Sequence, residues 1–251
     1  MKLFRRIREN LLSEGKMINY LKYALGETIL VMIGILLALQ VNNWNQERKN
    51  KSLKEFYQKN LITDLNKDIE NLEQLNSTNT SAEKEGFYLD SFLNNTLVEI
   101  DTIRLTKSIF YCGFVPNITI IYSTYNDLMN SNNIDLFNDI EIKKLLDDYY
   151  IRNNWTQLFN DRILKTAWYD YRDEMLKFHS PLLYQDIYAS NDLMELDDYK
   201  KYHVEWNDIK KNKYLKIQVG MMGAYRIQIR NDIKSHINKA KTILNYLEKA
   251  K

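Results

Sequence analysis

Three histidines are available for metal binding or proton transfer: His179, His203 and His236. None stands in an HExxH motif or at an i, i+4 spacing, so a metal site would need carboxylates from distant segments. Cys112 is the one thiol. Its neighbours Tyr111 and Gly113 belong to no known nucleophile signature, and a small buried or loop thiol is the plain reading. A single cysteine also excludes an intramolecular disulfide framework. The pairs Asp147-Asp148 and Asp197-Asp198 are adjacent in sequence, so on a helix they point about 100° apart and face solvent separately. GxSxG, GxxxxGK[ST] and GxGxxG are missing. The sequence predicts no catalytic residues, no metal and no cofactor.

Glu27 is the exception, because its position alone suggests function. It lies within the stretch Ala24 to Val41, which is otherwise apolar except for Thr28 and Gln40. Ionisable groups in membrane helices are rare and mark functional positions. Glu27, Val31, Gly34, Ala38 and Val41 recur at four- and three-residue steps and share one helix face. Gly34 and Ala38 form a small-xxx-small pair of the kind that lets helices approach closely. Two roles stay open for Glu27: coupling to protons or ions, or reaching the nearby interface by snorkelling. The face itself predicts self-association or packing on a partner membrane protein.

The element that carries these residues is a membrane helix. Leu21 to Trp44 would be about 36 Å long, enough to cross a hydrocarbon core of about 30 Å. Tyr20 and Tyr23 at one end and Trp44 at the other suit the two interfaces. The basic start (Lys2, Arg5, Arg6, Arg8) and apolar middle also fit a signal peptide. However, Leu36-Leu37-Ala38-Leu39-Gln40 is followed by Asn42-Asn43-Trp44 with no small-x-small cleavage site. An uncleaved signal anchor is the reading. Residues 1–22 hold six Lys/Arg and residues 45–64 hold five, so the flanking charge scarcely discriminates. A long domain translocates largely regardless of charge whereas a short basic tail resists it, which places the N-terminus in the cytoplasm. Leu3, Phe4, Ile7, Leu11 and Leu12 among basic residues read equally as a short interfacial helix or as the ordinary flank of an anchor.

Phe4-Arg5-Arg6-Ile7-Arg8, Tyr23-Ala24-Leu25-Gly26-Glu27 and Val31 to Trp44 resemble the start of a family of uncharacterised single-pass inner-membrane proteins of Gram-negative bacteria. Thr124-Tyr125-Asn126-Asp127-Leu128-Met129-Asn130-Ser131 and Leu145-Leu146-Asp147-Asp148-Tyr149-Tyr150 resemble landmarks further along that family. The resemblance implies a bacterial inner-membrane location and a helical domain. It transfers no catalytic residues, because the family has no assigned reaction.

The rest of the chain reads as helices. Seven glycines and two prolines in 251 residues argue against a many-turned sandwich or barrel. Leu53, Phe56 or Tyr57, Leu61, Leu65, Ile69, Leu72 and Leu75 recur at helical spacing. Ser77-Thr78-Asn79-Thr80-Ser81 reads as a polar turn capping a second helix through Phe87, Leu89, Phe92 and Leu93, which breaks at Asn94-Asn95. Gly113 and Pro116 predict a loop, and Asn130-Ser131-Asn132-Asn133 a turn. Residues 119–129 are ambiguous between a short helix and a mixed stretch. From Asp139 to His179 the apolar positions Ile142, Leu145, Leu146, Tyr149, Trp155, Leu158, Phe159, Ile163, Ala167, Tyr171 and Met175 predict a helix of about 40 residues ended by Pro181. Residues 182–206 read as a connector. A last helix from Asn207 or Asp208 to Lys249 carries a seam through Leu215, Val219, Met222, Ile229, Ile233, Ala240, Ile243 or Leu244, and Leu247. Gly220 and Gly223 inside it suggest close helix contact.

The expected fold is therefore all-α. A basic segment (1–22) precedes a transmembrane signal anchor (23–44), which continues into a helical domain (45–251) built as an antiparallel bundle of about four long helices. A coiled coil between subunits is the second architecture. Net charge is +2. Residues 1–44 carry six positive and three negative charges, which leaves the domain near neutral and predicts no nucleic-acid partner. Aromatics crowd between Tyr149 and Tyr188. Most read as core, with Tyr150 and Tyr169 off the stripe, and an aromatic-rimmed groove for a small ligand or peptide is the second reading. The functional expectation is a non-enzymatic membrane-anchored binding, sensing or scaffold module of the envelope, facing the lipid bilayer at its anchor. The alternative is an oligomeric transport or motor accessory using Glu27.

Overall fold

The computed structural model describes residues 17–189 and 196–249. Of the expected interfacial segment (3–22), residues 3–16 lie outside the described residues, as do the side chains of Trp155, Tyr184 and Tyr188. The described chain is helical, apart from loops and one isolated antiparallel bridge between His179 and Val204. It divides between Phe56 and Tyr57 into two compact units. Helix α1 (Met17–Leu93) supplies residues to both.

In the first unit, α1 contains the one stretch among the described residues that is long and apolar enough to cross a membrane, with a mean hydropathy of 2.1. Every large apolar side chain from Leu25 to Val41 is at least 50% exposed. Apolar surface of this extent marks a membrane or protein interaction site in general.

In the second unit the remaining helices are α2 (Thr102–Cys112), α3 (Ser123–Asn130), α4 (Ile140–Phe159), α5 (Lys165–Met175), α6 (Leu182–Ala189), α7 (Trp206–Lys211) and α8 (Lys213–Lys249). Cross-links between α1 and α8 run in opposite order along the two helices. Gln58 donates to the Leu247 carbonyl. Glu73 pairs with Lys241, and Glu83 with Arg230. Helix α4 meets α8 in the same sense, through Asp148–Lys239, Tyr149–His236 and Phe159–Tyr225. The packing is an antiparallel helical bundle.

The predicted seams account for most of the core. Leu61, Leu65, Leu72, Leu215, Val219, Met222, Ile229, Ile233, Ala240 and both Ile243 and Leu244 are buried. At the start of the α1 seam Tyr57 is buried and Phe56 is exposed. The loop at Gly113 and Pro116 and the turn at 130–133 stand where predicted, and α1 ends at Leu93 ahead of Asn95, whose φ is 58°. Two side chains cap helices as their types suggest. Asp101 accepts from the Ile103 and Arg104 amides at α2, and Asp139 from Glu141 at α4.

Four local expectations are corrected. Ser77–Ser81 is not a turn but part of α1. Thr78, Thr80 and Ser81 bond back to the carbonyls of Gln74, Asn76 and Ser77, and Asn79 donates to the Arg226 carbonyl on α8. Polar groups that would otherwise compete with the helix are thereby occupied. Second, α7 and α8 are separate, because Asn212 leaves the helical region, accepts from the Leu215 amide and donates to Glu174. Third, α5 ends at Met175, six residues before Pro181, which stands ahead of α6. Fourth, Gly220 faces open space and a side chain at Gly223 would only touch Phe87 at 3.9 Å, so neither glycine marks a close helix contact.

The fifth difference bears on the site. Between α4 and α5 the helix opens into one π-turn, Asn160–Leu164, in which the Lys165 amide reaches the Asn160 carbonyl. A π-turn inserts one residue into the helical register. The buried stripe of Ile142, Leu146 and Tyr149 runs on through Thr156 and Asn160 to Leu164 and to Ala167, Tyr171 and Met175, the last three as expected. Ile163, expected in the core, is 44% exposed, as is Leu158 at 39%. Thr156 and Asn160 are buried in their place.

Candidate functional site

The residues singled out in the membrane helix, Glu27, Gly34 and Ala38, lie on α1 within the first unit. Nothing lies within 4 Å of where a Gly34 side chain would begin. Ala38 is exposed and Glu27 half-buried.

The second unit contains a cavity of 460 Å³, within the range that small-molecule sites occupy. One wall is the end of α2 and the following loop: Phe110, Gly113, Phe114, Val115, Pro116 and Asn117. The opposite wall is the π-turn and the start of α5: Asn160, Asp161, Lys165, Trp168 and Tyr169. Aromatic and aliphatic surface dominates, with a few polar groups from one turn of helix.

The loop wall is held from behind by Arg226. It sits in the α8 seam between Met222 and Ile229 and is 1% exposed. Its guanidinium donates to the Ala82 carbonyl at 3.1 Å, to the Cys112 carbonyl, and to the Phe114 carbonyl at 3.1 Å. Two of these acceptors belong to the end of α2 and the loop, where a cation complements unpaired carbonyls. Burial pulls the guanidinium's proton affinity down from its ordinary value, an effect that nearby acidic groups oppose. Tyr171 adds a bond at 2.7 Å to the Ile109 carbonyl. Gly113 is needed for close approach: an added Cβ would lie 3.2 Å from Tyr171 and 3.3 Å from Nε1 of Trp168. Its φ of −82° is ordinary for any residue.

On the facing wall the charges are matched. Lys165 and Asp161 pair at 2.5 Å one turn apart. Arg172 lies over the rings of Trp168 and Tyr169, 4.8 and 4.9 Å from their centroids, and bonds to Asp173. Asn160 differs. It is 4% exposed, and neither its amide nitrogen nor its carbonyl oxygen has a hydrogen-bond partner. A buried amide without partners is destabilising by about 1–3 kcal/mol, which natural structures keep for particular reasons.

A second polar cluster joins the two landmark stretches quoted above. Tyr125 stacks on Tyr150 with centroids 4.1 Å apart and donates to Asp147 at 2.9 Å. Beneath them Asp64 accepts from Ser123 and Thr124, and Asp68 from the Ile121 amide and the Tyr149 hydroxyl. Asp68 is fully buried, and that burial raises its carboxyl from 3.8 to about 6 despite the two bonds it accepts. Burial likewise drives Tyr149 and Tyr150 above the ordinary phenol range and Tyr125 to about 12. Tyr150, expected off the core stripe, is 1% exposed, whereas Tyr169 is exposed as predicted. This cluster holds α3 to α1 and α4 and encloses no cavity among those described.

The other reactive residues stay apart. His179 and His236 are buried in different parts of the unit, and His203 is exposed. Among the described residues, no group of three or more His, Cys, Asp or Glu is placed to hold a metal ion. Cys112 is buried, which pushes its thiol up to about 11, so it remains protonated at neutral pH. No protein-family model, curated protein or solved structure matches the chain.

Sequence reasoning missed Asn160, Arg226 and Asp68. Arg226 and Asp68 were detectable as polar residues in otherwise apolar stripes, at Met222–Arg226–Ile229 and Leu65–Asp68–Leu72. Thr156 and Asn160 likewise fall seven and eleven residues beyond Tyr149, on the same helix face.

Proposed function

We propose that the chain is a non-enzymatic, membrane-anchored binding module of the bacterial envelope. The apolar stretch of α1 is a single-pass signal anchor in the inner membrane. The short basic segment stays in the cytoplasm, and residues 45–251 are periplasmic. The helical domain takes a small ligand between the Gly113–Asn117 loop and the π-turn. The face of Glu27, Gly34 and Ala38 packs on another copy or on a partner membrane helix, which gives a bound state a route to the rest of the envelope.

The observation that carries this reading is the cavity itself. Phe110, Phe114, Trp168 and Tyr169 give it aromatic walls, and the π-turn forms part of one of them. π-turns within α-helices are frequent at functional sites. Membrane attachment is supported by the uncovered apolar surface from Leu25 to Val41.

The test is co-purification. The full chain, extracted in native lipid particles, should release a small molecule on denaturation, detected by mass spectrometry. Val115→Trp, which fills the cavity from the loop wall, should release much less of it. Equal amounts of every small molecule from both proteins would contradict the reading.

A further inference from the structure

We propose that residues 113–122, which include the loop wall of the cavity, form a strap latched by the Asp68 side chain, and that the latch loosens as pH rises through the acid range. The inference concerns the opening of the strap. Only its consequence for ligand uptake rests on the cavity being the binding site.

The strap is fastened at two places. At its start Arg226 donates to the carbonyls of Cys112 and Phe114. At its end the Ile121 amide donates to Asp68 on α1 at 2.9 Å. Among the described residues, no other backbone group from Val115 to Ile121 makes a hydrogen bond. Helices and strands spread their attachment over many backbone bonds, whereas this segment depends on two side chains. Ile118 and Ile120 are buried and add apolar attachment between them. The cavity wall, Gly113 to Asn117, lies between the two fastenings.

The two fastenings differ in kind. A guanidinium keeps its proton throughout the range in which proteins stay folded, and a carboxyl does not. The Arg226 end is therefore fixed, and the Asp68 end is the one that pH can release.

The surroundings of Asp68 set the direction. The residue is fully buried and accepts from two neutral donors, the Ile121 amide and the Tyr149 hydroxyl. Asp64 lies one turn away on α1 and adds like charge. Tyr149 and Tyr150 face it from α4, with Tyr122 of the strap and Tyr125 of α3 against Tyr150. On α8, His236 packs on Tyr149 with ring centroids 5.9 Å apart, and Lys239 is paired with Asp148. Burial, helped by Asp64, keeps the proton on Asp68 up to about pH 6, although the bonds from Ile121 and Tyr149 oppose it. Lifting the strap lets water reach the carboxyl, which then moves back towards its ordinary 3.8. Closing therefore takes up a proton between these values. Above them the closed strap covers a desolvated charge, so opening becomes easier as pH rises. Opening unmakes one wall of the cavity.

The experiment uses the full chain in lipid nanodiscs with 15N-labelled isoleucine, following hydrogen exchange at the Ile121 amide, assigned by Ile121→Val. Rates at pH 4.5 and 7.5 are each compared with an unstructured peptide at the same pH, which gives the protection. Protection of Ile121 should fall between the two by up to about 25-fold, the change that a shift from 3.8 to about 6 produces over that interval. It should be lower at both pH values than protection of Ile229 and Ile233 in the α8 seam, because the strap opens without the rest of the domain. Asp68→Asn should abolish the fall. Tyr149→Phe removes a bond that favours the charged carboxylate, so it should move the midpoint of the fall to higher pH; it serves alone if remote resonances fail to show the asparagine variant folded. A fall of less than about threefold in the wild type would overturn the inference, as would the same fall in Asp68→Asn or an unmoved midpoint in Tyr149→Phe. Equal protection of Ile121 and the α8 seam would also overturn it, since the strap would then open only with the whole domain. The measurement needs no ligand, so its outcome is separate from that of the co-purification test.

Discussion

Replacing Asp68 by Asn tests whether a carboxylate is held buried at the centre of the tyrosine cluster. The carboxyl is fully buried and titrates at about 6 instead of 3.8, chiefly because burial disfavours its charge. Between those values the native state holds a proton that the unfolded chain has lost. Stability therefore falls as pH rises from about 4 to about 6, and stays lower above that. The rise is worth about 3 kcal/mol, at about 1.4 kcal/mol per tenfold change in proton affinity. Asn keeps the size and an acceptor for the Ile121 amide, and the Tyr149 hydroxyl can turn to accept from its nitrogen. Asp68→Asn should therefore gain up to about 2 kcal/mol relative to wild type at pH 8 compared with pH 4.5, because about 1.5 of the pH units of the shift lie above pH 4.5. The assay is urea unfolding of the full chain in detergent micelles, followed by near-ultraviolet circular dichroism at both pH values. The difference between mutant and wild type cancels other titrating groups. A mutant effect that is the same at both pH values, or more destabilising at pH 8, would refute the reasoning.

Three further outcomes follow from single residues. Arg226→Met should lose about 3 kcal/mol or more, because three carbonyls lose a buried donor, and should weaken ligand uptake by freeing the loop; urea unfolding and the amount of co-purified small molecule check the two effects. Leu65→Asp and Ile233→Asp, at fully buried seam positions on α1 and α8, should each leave the domain largely unfolded by circular dichroism. Gly34→Leu should weaken association of the membrane helix in a reporter assay and Leu36→Ala should not, since only the first lies on the face of Glu27 and Ala38.

The bundle was legible wherever one physical rule acted alone. The 3.6-residue apolar period located Leu61, Leu65 and Leu72 on α1 and the seam of α8 from Leu215 to Leu247. It failed where a local bond changed the rule. Ser77–Ser81 has turn composition, yet backward hydroxyl bonds and the Asn79–Arg226 contact keep it helical. At the π-turn burial falls on Leu164 and not on Ile163, whereas Ala167, Tyr171 and Met175 beyond it are buried where the period put them. The aromatic-rimmed site was foreseen only as a property of residues 149–188. Its other wall, from Phe110 to Asn117, comes from a part of the chain that no local period connects to it.

Hydrogen exchange gives the most direct test of the binding reading, because it reports where a ligand acts without knowing what the ligand is. The full chain in lipid nanodiscs is compared with and without the small-molecule fraction of its native membranes. Protection should rise in Gly113–Asn117 and across Asn160–Tyr169, the two walls of the cavity. No added protection in either wall, or protection confined to the Tyr125–Tyr150 cluster, would contradict the account.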